Sequence, residues 1–388
     1  MTRVLVINTK YKNFGGEDAN IIEEVSILSQ QFEVKYLEFK NSDKLKFFDY
    51  ISFFTNNNRN SNKTLKKVLD DFSPDIAYVH NTWFRAGLGI FKILNRKNIK
   101  ILFKLHNFRL DCTKSYISKN HISKNSFCFK CGYISNNAYS LNKYFNDSYV
   151  KSLFAVRFSR KLLKIIHKFP MTVVVLNNFQ KEIIKSYKKD IKTEILSNPI
   201  KHKGNNRNQY KSSSNFVVYA GTLTNEKGVD KLLESWRKSN INKLTLKIIG
   251  TGPIEDELKE RFKENNIKFF GFLDNKKTLD HIREARAVVT ATRMFEGQPR
   301  LLCEATSFGV PSIYPFFGGM NEYFPKDYEF SFKQYDYKDL QKKFSLLDNE
   351  IKLKENSDNV FDFFSNFLSE DIYLKKFTNL VLLWKIST

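Results

Sequence analysis

The sequence predicts an α/β protein of two domains, each a mostly parallel sheet flanked by helices, and three observations carry that prediction. Short apolar runs alternate with helix-length amphipathic stretches along most of the chain, the strand–helix–strand order that builds parallel sheets. At 388 residues the chain is longer than one ordinary core organises. Near its middle lies NPIKHKGNNRNQYKSSSN, polar and without periodicity, which has the composition of a linker. The expected division is a first domain over residues 1–198, a linker over 199–215, a second domain over 216–368 and a closing helical segment over 369–388.

Apolar residues make up 41% of the chain and aromatics 15%, enough to fill two cores. The apolar run Val4 to Ile7 is too short for a signal peptide and belongs to a strand. No apolar stretch reaches the ~18 residues of a membrane-spanning helix, so the expected location is cytoplasmic. The formal net charge is +23 and unevenly spread. Residues 1–200 carry 34 Lys and Arg against 16 Asp and Glu, and Arg85 to Lys168 carries 18 basic residues against Asp111 and Asp147 alone. So positive a first domain implies an anionic partner: acidic lipid headgroups, a lipid-linked pyrophosphate or a nucleic acid. The nucleic-acid alternative lacks a recognisable binding module or an interleaved aromatic platform, so no nucleic-acid partner is expected.

In the first domain Thr2 to Asn8 reads as a buried parallel strand, followed by Gly15 and Gly16 and a helix from Asp18 to Gln30. Strand, glycine pair and helix form a geometry that lets backbone approach a diphosphate. A plain tight turn is the alternative. Strands follow at Glu33 to Phe39, Asp75 to Val79 and Lys100 to Leu105, with helices at Lys63 to Phe72 and Phe84 to Arg96. His80 and His106 fall at the carboxyl ends of two of these strands, where an imidazole can reach a ligand in the crevice beyond the sheet.

An insertion over residues 107–140 carries Cys112, Cys128 and Cys131 with His121 between them. Three thiols and an imidazole could form a structural zinc site, although a single C-x2-C is half a zinc signature and free thiols are the alternative. A long helix, Asn142 to Phe169, places Arg157, Lys161, Lys164 and Lys168 beside Phe158, Leu162, Ile165 and Phe169. A basic stripe next to an apolar one suits an anionic membrane surface, or simply a helix packed on its own domain. Strand Thr172 to Leu176, helix Asn178 to Lys188 and strand Glu194 to Leu196 complete this domain.

The second domain opens with strand Phe216 to Ala220 and the turn GTLTNEKG, in which Lys227 precedes Gly228 and a helix from Val229 to Arg237. Strands are expected at Leu244 to Ile249, Lys268 to Phe272, Ala287 to Thr290 and Val310 to Tyr314, and helices from Ile254 and up to Ala285. Cys303 reads as a core residue and the tail Asp358 to Trp384 as helical.

The most informative stretch is FEGQPRLLCEATSFGVP, Phe295 to Pro311. It reads as a loop entering a helix near Arg300, and unpartnered N–H groups in a first helical turn favour an anion such as phosphate. Glu296 and Glu304 flank that point. Carboxylates beside a phosphate repel it unless they accept hydrogen bonds from hydroxyls, which points to a nucleotide sugar.

This E-x7-E arrangement, set within EG-x-P and LCEATSFGVP, resembles the donor-binding motif of retaining glycosyltransferases of family 4. Their fold is GT-B, two Rossmann-like domains facing across a cleft, with the last helices crossing back to the first domain. The resemblance implies that Gly15, Gly16, Lys227 and the backbone of Arg300 serve the donor diphosphate, and that backbone at Phe272 grips the nucleobase. It implies Glu304 on the ribose, Glu296 and His106 on the donor sugar, a close approach at Gly318 and Gly319, and acceptor or structural contacts at His80-Asn81. Thr222 stands where the family usually has arginine, and Arg300 is a candidate to compensate.

The resemblance further implies transfer with retention; the lack of a well-placed carboxylate nucleophile suits assistance by the leaving phosphate, and because a lysine and helix N-terminal donors supply the positive field and no Asp-x-Asp occurs near these motifs, no divalent metal or cofactor is expected. The expected acceptor is a lipid-linked glycan of surface polysaccharide synthesis, and a peripheral position on the inner face of the cell membrane is a further expectation. A sugar-nucleotide epimerase of the same fold is the enzymatic alternative.

Overall fold

The structure is a computed structural model that describes residues 1–10, 15–41, 47–108, 110, 148–201 and 210–386. Two compact units emerge, one formed by Met1–Pro199 with Tyr373–Thr388 and the other by Ile200–Ile372. The zinc-site candidates Cys112, His121, Cys128 and Cys131 lie outside the described residues.

The first unit is built on a six-stranded parallel sheet of β1 (Arg3–Lys10), β2 (Glu33–Lys40), β3 (Ile76–Val79), β4 (Lys100–Lys104), β5 (Thr172–Val175) and β6 (Thr193–Ile195). Its strand order is β2-β1-β3-β4-β5-β6. Helices cover both faces, so the inner strands bury both sides and read as continuous apolar runs rather than alternating ones. Alternation survives as a division of labour between faces. Leu5, Ile7, Ala77, Val79, Ile101 and Phe103 pack into one core, and Val4, Val6, Ile76, Tyr78 and Leu102 into another. That second core is completed by Ile21, Ile27 and Leu28 of the helix Gly16–Leu28 and by Tyr373, Phe377 and Val381 of the helix Glu370–Ile386.

One element of this unit was not expected: the segment FFDYISFFT forms a helix, Phe47–Thr55, for which its nearly unbroken apolar run gives no helical period. The basic helix is described over Tyr149–Lys168, and of the two readings of its apolar stripe the packed one holds for Phe158 and Leu162, which are buried in the unit's own core. Among the stripe's cations, Arg157 donates to the Phe54 carbonyl at 2.7 Å and Lys161 donates to the Thr55 carbonyl.

The second unit repeats the plan with β7 (Phe216–Ala220), β8 (Thr245–Ile249), β9 (Ile267–Gly271), β10 (Ala287–Val289), β11 (Ser312–Phe316) and β12 (Ser331–Lys333). All are parallel, in the order β12-β11-β10-β7-β8-β9. In each sheet the order reverses beside the first strand, between β1 and β3 and between β7 and β10. Ligands of open α/β sheets bind beyond the carboxyl ends of the strands at such a reversal. The tail is two helices, Glu350–Phe367 and Glu370–Ile386, rather than one continuous stretch.

Candidate active site

In the second unit the loops leaving β7 and β10 meet at the reversal. After β7 the chain makes a short 3-10 turn, Asn225–Lys227, capped by the Thr224 hydroxyl, which accepts from the Lys227 N–H at 3.4 Å. Gly228 then adopts φ 66°, and a Cβ there would lie 2.0 Å from the Ala291 carbonyl oxygen, so only glycine lets the two loops touch. Arg293 fastens them from the other side. Its backbone N–H donates to the Glu226 carbonyl at 2.9 Å, and its guanidinium reaches the Asn225 carbonyl at 3.0 Å and Asp230 Oδ2 at 2.7 Å.

This clamp sets the distance between two predicted site residues. Lys227 Nζ donates to Glu296 Oε1 at 2.7 Å, and the same oxygen accepts from the Thr292 hydroxyl at 3.2 Å. Next, the helix Arg300–Ser307 starts at Pro299 with no capping side chain and no acidic residue in its first turn, so its dipole has no carboxylate of its own to meet there. Glu304, nearly buried, accepts from Arg300 Nε at 2.6 Å. Arg300 is therefore paired with Glu304 in this structure. Thr222 is exposed, with its carbonyl accepting from the Tyr219 hydroxyl.

The remaining second-unit residues fall around the same loops. Phe317 stacks on Phe295 with ring centroids 4.1 Å apart, which brings the Gly318-Gly319 turn beside the Glu296 loop. The Tyr323 hydroxyl holds the Gly297 carbonyl at 3.0 Å. Phe272, just past β9, is the most exposed aromatic side chain among the described residues. Cys303 is fully buried and burial pushes its thiol up, as befits a core residue.

In the first unit, Gly15 caps the helix Gly16–Leu28, and its N–H donates to Asp18 Oδ2 at 3.2 Å. Gly15 is extended at φ −135° and a Cβ there would meet open space, so packing does not require glycine at this position. Glu17 and Asp18 occupy the first turn, the opposite electrostatic arrangement from the helix at Arg300. Burial raises the Asp18 pKa, and the Gly15 N–H and Lys10 act against that rise.

His80 and His106 are brought together, with His80 Nδ1 2.8 Å from His106 Nε2 and the rings stacked 5.1 Å apart. Asn81 instead ties loops, donating to the Thr9 carbonyl and accepting from the Trp83 N–H. Beneath the histidines, Lys104 Nζ donates to Glu24 Oε1 at 2.7 Å, while the Tyr78 and Tyr373 hydroxyls donate to Glu24 Oε2 at 2.9 and 2.6 Å. Glu24, His80 and His106 approach within 4.8 Å of one another. They do not suit a divalent cation, because both oxygens of Glu24 are taken and the Lys104 ammonium already supplies the positive charge.

Sequence reasoning missed Arg293, Asp230, Lys104 and Glu24. Arg293 is three residues before Glu296 and could have been noticed there. The lysine–glutamate pair had no signal, since its partners are separated by 80 positions.

The chain is similar to known proteins in part of its sequence and in its fold. Residues 202–360 match the family model for glycosyl transferases group 1. The two α/β units have the GT-B fold. Sucrose-phosphate synthase from Thermosynechococcus elongatus is similar at TM-score 0.71 with 12% identity, covering 100% of both chains. HepE of Anabaena, solved with UDP and glucose, is similar at TM-score 0.66 with 14% identity, covering 98% of this chain and 99% of its own.

Among curated relatives, the amylovoran biosynthesis glycosyltransferase AmsD of Erwinia amylovora is 27% identical over 162 residues, 40% of this chain and 46% of that protein. An uncharacterized 41.2 kDa protein in the cps region of Klebsiella pneumoniae is 22% identical over 250 residues, 62% of this chain and 59% of its own. The chain thus spans about half the length of the curated relatives it matches.

Proposed function

We propose that this protein is a retaining glycosyltransferase that moves a sugar from a nucleoside diphosphate donor to an acceptor hydroxyl. The observation that carries the proposal is the second unit's loop pair, where Lys227, Glu296, Arg300 and Glu304 gather at the sheet reversal of a group 1 glycosyl transferase domain. Lys227 and the helix start at Arg300 hold the diphosphate, Glu304 reads the ribose, and Glu296 and His106 read the donor sugar. Phe272, Gly318 and Gly319 border the nucleotide and the sugar, and Gly15 and Gly16 retain the diphosphate role that the resemblance assigns. Positive charge held in place before the reaction stabilises the departing diphosphate, so catalysis rests on positioning and electrostatics, with no divalent metal required. HepE is solved with UDP, and UDP and UDP-glucose are therefore the first probes. A rise in melting temperature with a nucleoside diphosphate or its sugar, followed by transfer to a glycan acceptor, is the expected result. Donor consumed without an acceptor would favour the epimerase.

The acceptor is a lipid-linked glycan of surface polysaccharide synthesis, reached at an anionic membrane from the cytoplasmic side. Two features support this reading: the relative AmsD is an amylovoran biosynthesis enzyme, and the first unit exposes Tyr50, Ile51, Phe54, Val150 and Leu153 on two touching helices beside Lys151, Arg157 and Lys164. Exposed apolar side chains ringed by cations suit a negatively charged lipid surface. Flotation with phosphatidylglycerol vesicles but not phosphatidylcholine vesicles, weakened by Phe54→Ser, is the expected outcome. Binding indifferent to lipid charge would refute it.

A further inference from the structure

Glu296 is held by two groups of different character, and both contacts fall on the same oxygen. Lys227 Nζ donates to Oε1 at 2.7 Å and the Thr292 hydroxyl donates to Oε1 at 3.2 Å, whereas Oε2 accepts from no group among the described residues. The side chain is 18% exposed and Oε2 is not a buried orphan, so Oε2 is open to water. The backbone on either side has little freedom. Phe295 is buried and stacked on Phe317, and the Gly297 carbonyl accepts from the Tyr323 hydroxyl at 3.0 Å. What the loop backbone leaves undecided is the set of side-chain torsions of Glu296, and a glutamate carries a large rotamer entropy.

Of the two partners, Thr292 is the rigid one. It is 1% exposed, and its carbonyl accepts from Gln334 Nε2 at 3.1 Å. The following residue, Arg293, is fixed by the Glu226 and Asn225 carbonyls and by Asp230. Branching at Cβ narrows the χ1 of Thr292 further. The direction of its hydroxyl proton follows from its neighbours. Oγ1 accepts from the Met294 N–H at 3.3 Å, and a carboxylate can only accept, so the hydroxyl proton goes to Glu296 Oε1. Lys227 reaches that oxygen from the end of a flexible stem, and its side chain is 30% exposed.

We propose that Thr292 is a positioning residue, whose hydroxyl anchors Glu296 Oε1 so that Oε2 stays available to a hydroxyl of the donor sugar whether or not Lys227 remains on the carboxylate. The role at the sugar rests on the function proposed above; the anchoring contact does not. Lys227 can turn to a diphosphate without setting Glu296 loose, because the contact that remains comes from a buried side chain on a pinned backbone.

Two measurements on full-length protein test this. The first needs no donor: denaturation midpoints are compared for Thr292→Val, Glu296→Ala and the double variant. With the hydroxyl proton on Glu296, Thr292→Val should lower the midpoint less in the Glu296→Ala background than in wild type, because the contact is already gone. Additive shifts overturn the proposal. The second is steady-state transfer from UDP-glucose. Thr292→Val should lower kcat about tenfold, the loss of roughly one hydrogen bond to a charged group, while UDP affinity changes by less than about twofold. Thr292→Ser keeps the hydroxyl and should recover most of the rate. A UDP affinity that falls as far as kcat, or a serine variant no faster than the valine one, overturns the positioning role. Absence of transfer by the wild type strikes the proposed function instead, and the midpoints still decide the anchoring contact.

Discussion

Lys227 Nζ lies 2.7 Å from Glu296 Oε1, so the cation expected on the diphosphate and the carboxylate expected on the sugar neutralise one another in the ligand-free protein. Under the proposed function, a donor diphosphate would recruit the ammonium and release Glu296 to accept from a sugar hydroxyl. Lys227→Ala should weaken donor binding about tenfold or more, and Glu296→Gln should lower kcat by about 10²-fold. Steady-state kinetics separates the two effects, and identical profiles for both variants would contradict this division of roles.

A second prediction distinguishes the two glutamates. If Glu304 reads the ribose, Glu304→Ala should weaken a nucleoside diphosphate and its sugar equally, by about tenfold. Glu296→Gln should not weaken the bare nucleoside diphosphate, since it removes the carboxylate that competes for Lys227. Calorimetric titration of both ligands against both variants tests this. Glu304→Ala also leaves the Arg300 guanidinium without its carboxylate, so a lower melting temperature accompanies the change.

The Lys104–Glu24 pair, 0% and 1% exposed at its side chains, makes a prediction about stability. Lys104→Met should destabilise the first unit by about 3–5 kcal/mol, because the Glu24 charge remains buried with only the two tyrosine hydroxyls. Lys104→Met with Glu24→Gln removes both charges yet keeps an acceptor for those hydroxyls, and should regain most of the loss. Denaturant unfolding of full-length protein measures both. A double variant no more stable than the single one would show that geometry, and not the unpaired charge, controls the loss.

The same region predicts a pH dependence. His80 and His106 have lowered pKa values in the folded state, chiefly from burial, against 6.5 when unperturbed. Below pH 6.5 the unfolded chain binds protons that the folded one refuses, so stability falls as pH falls through 6.5 toward the folded values. Above 6.5 both states are neutral and the dependence vanishes. The slope approaches about 1.4 kcal/mol per pH unit for each histidine. Denaturation midpoints at pH 5.5 and 7.5 should differ less in His80→Leu than in wild type. An equal pH difference in both would remove the pair as its source.

Much of the fold was readable from the sequence because its signals are local. Val4 to Ile7 must be a buried strand, being apolar at consecutive positions, and β7 was read with its observed ends because Phe216 to Ala220 is bounded by the polar linker and by Gly221. The helix Phe47–Thr55 was not read, since an apolar run carries no 3.6-residue period. For the site, the FEGQPRLLCEATSFGVP stretch indicated a loop and a helix start, which the structure contains at Thr290–Pro299 and Arg300–Ser307. The i,i+4 spacing of Arg300 and Glu304 on that helix allows their pairing, but nothing local indicated that Lys227 would face Glu296.

By itself the sequence determined the α/β class, the doubly repeated parallel architecture and the kinds of side chain available at the strand ends, because period and turn chemistry act between near neighbours. Tertiary structure alone decided the partnerships: Lys227 with Glu296, Arg293 with Asp230, Lys104 with Glu24, and His80 with His106. These depend on strand order. Parallel sheets place residues 26 to 80 positions apart side by side, and only burial in the assembled fold makes an ion pair or a shared proton more favourable than solvation by water.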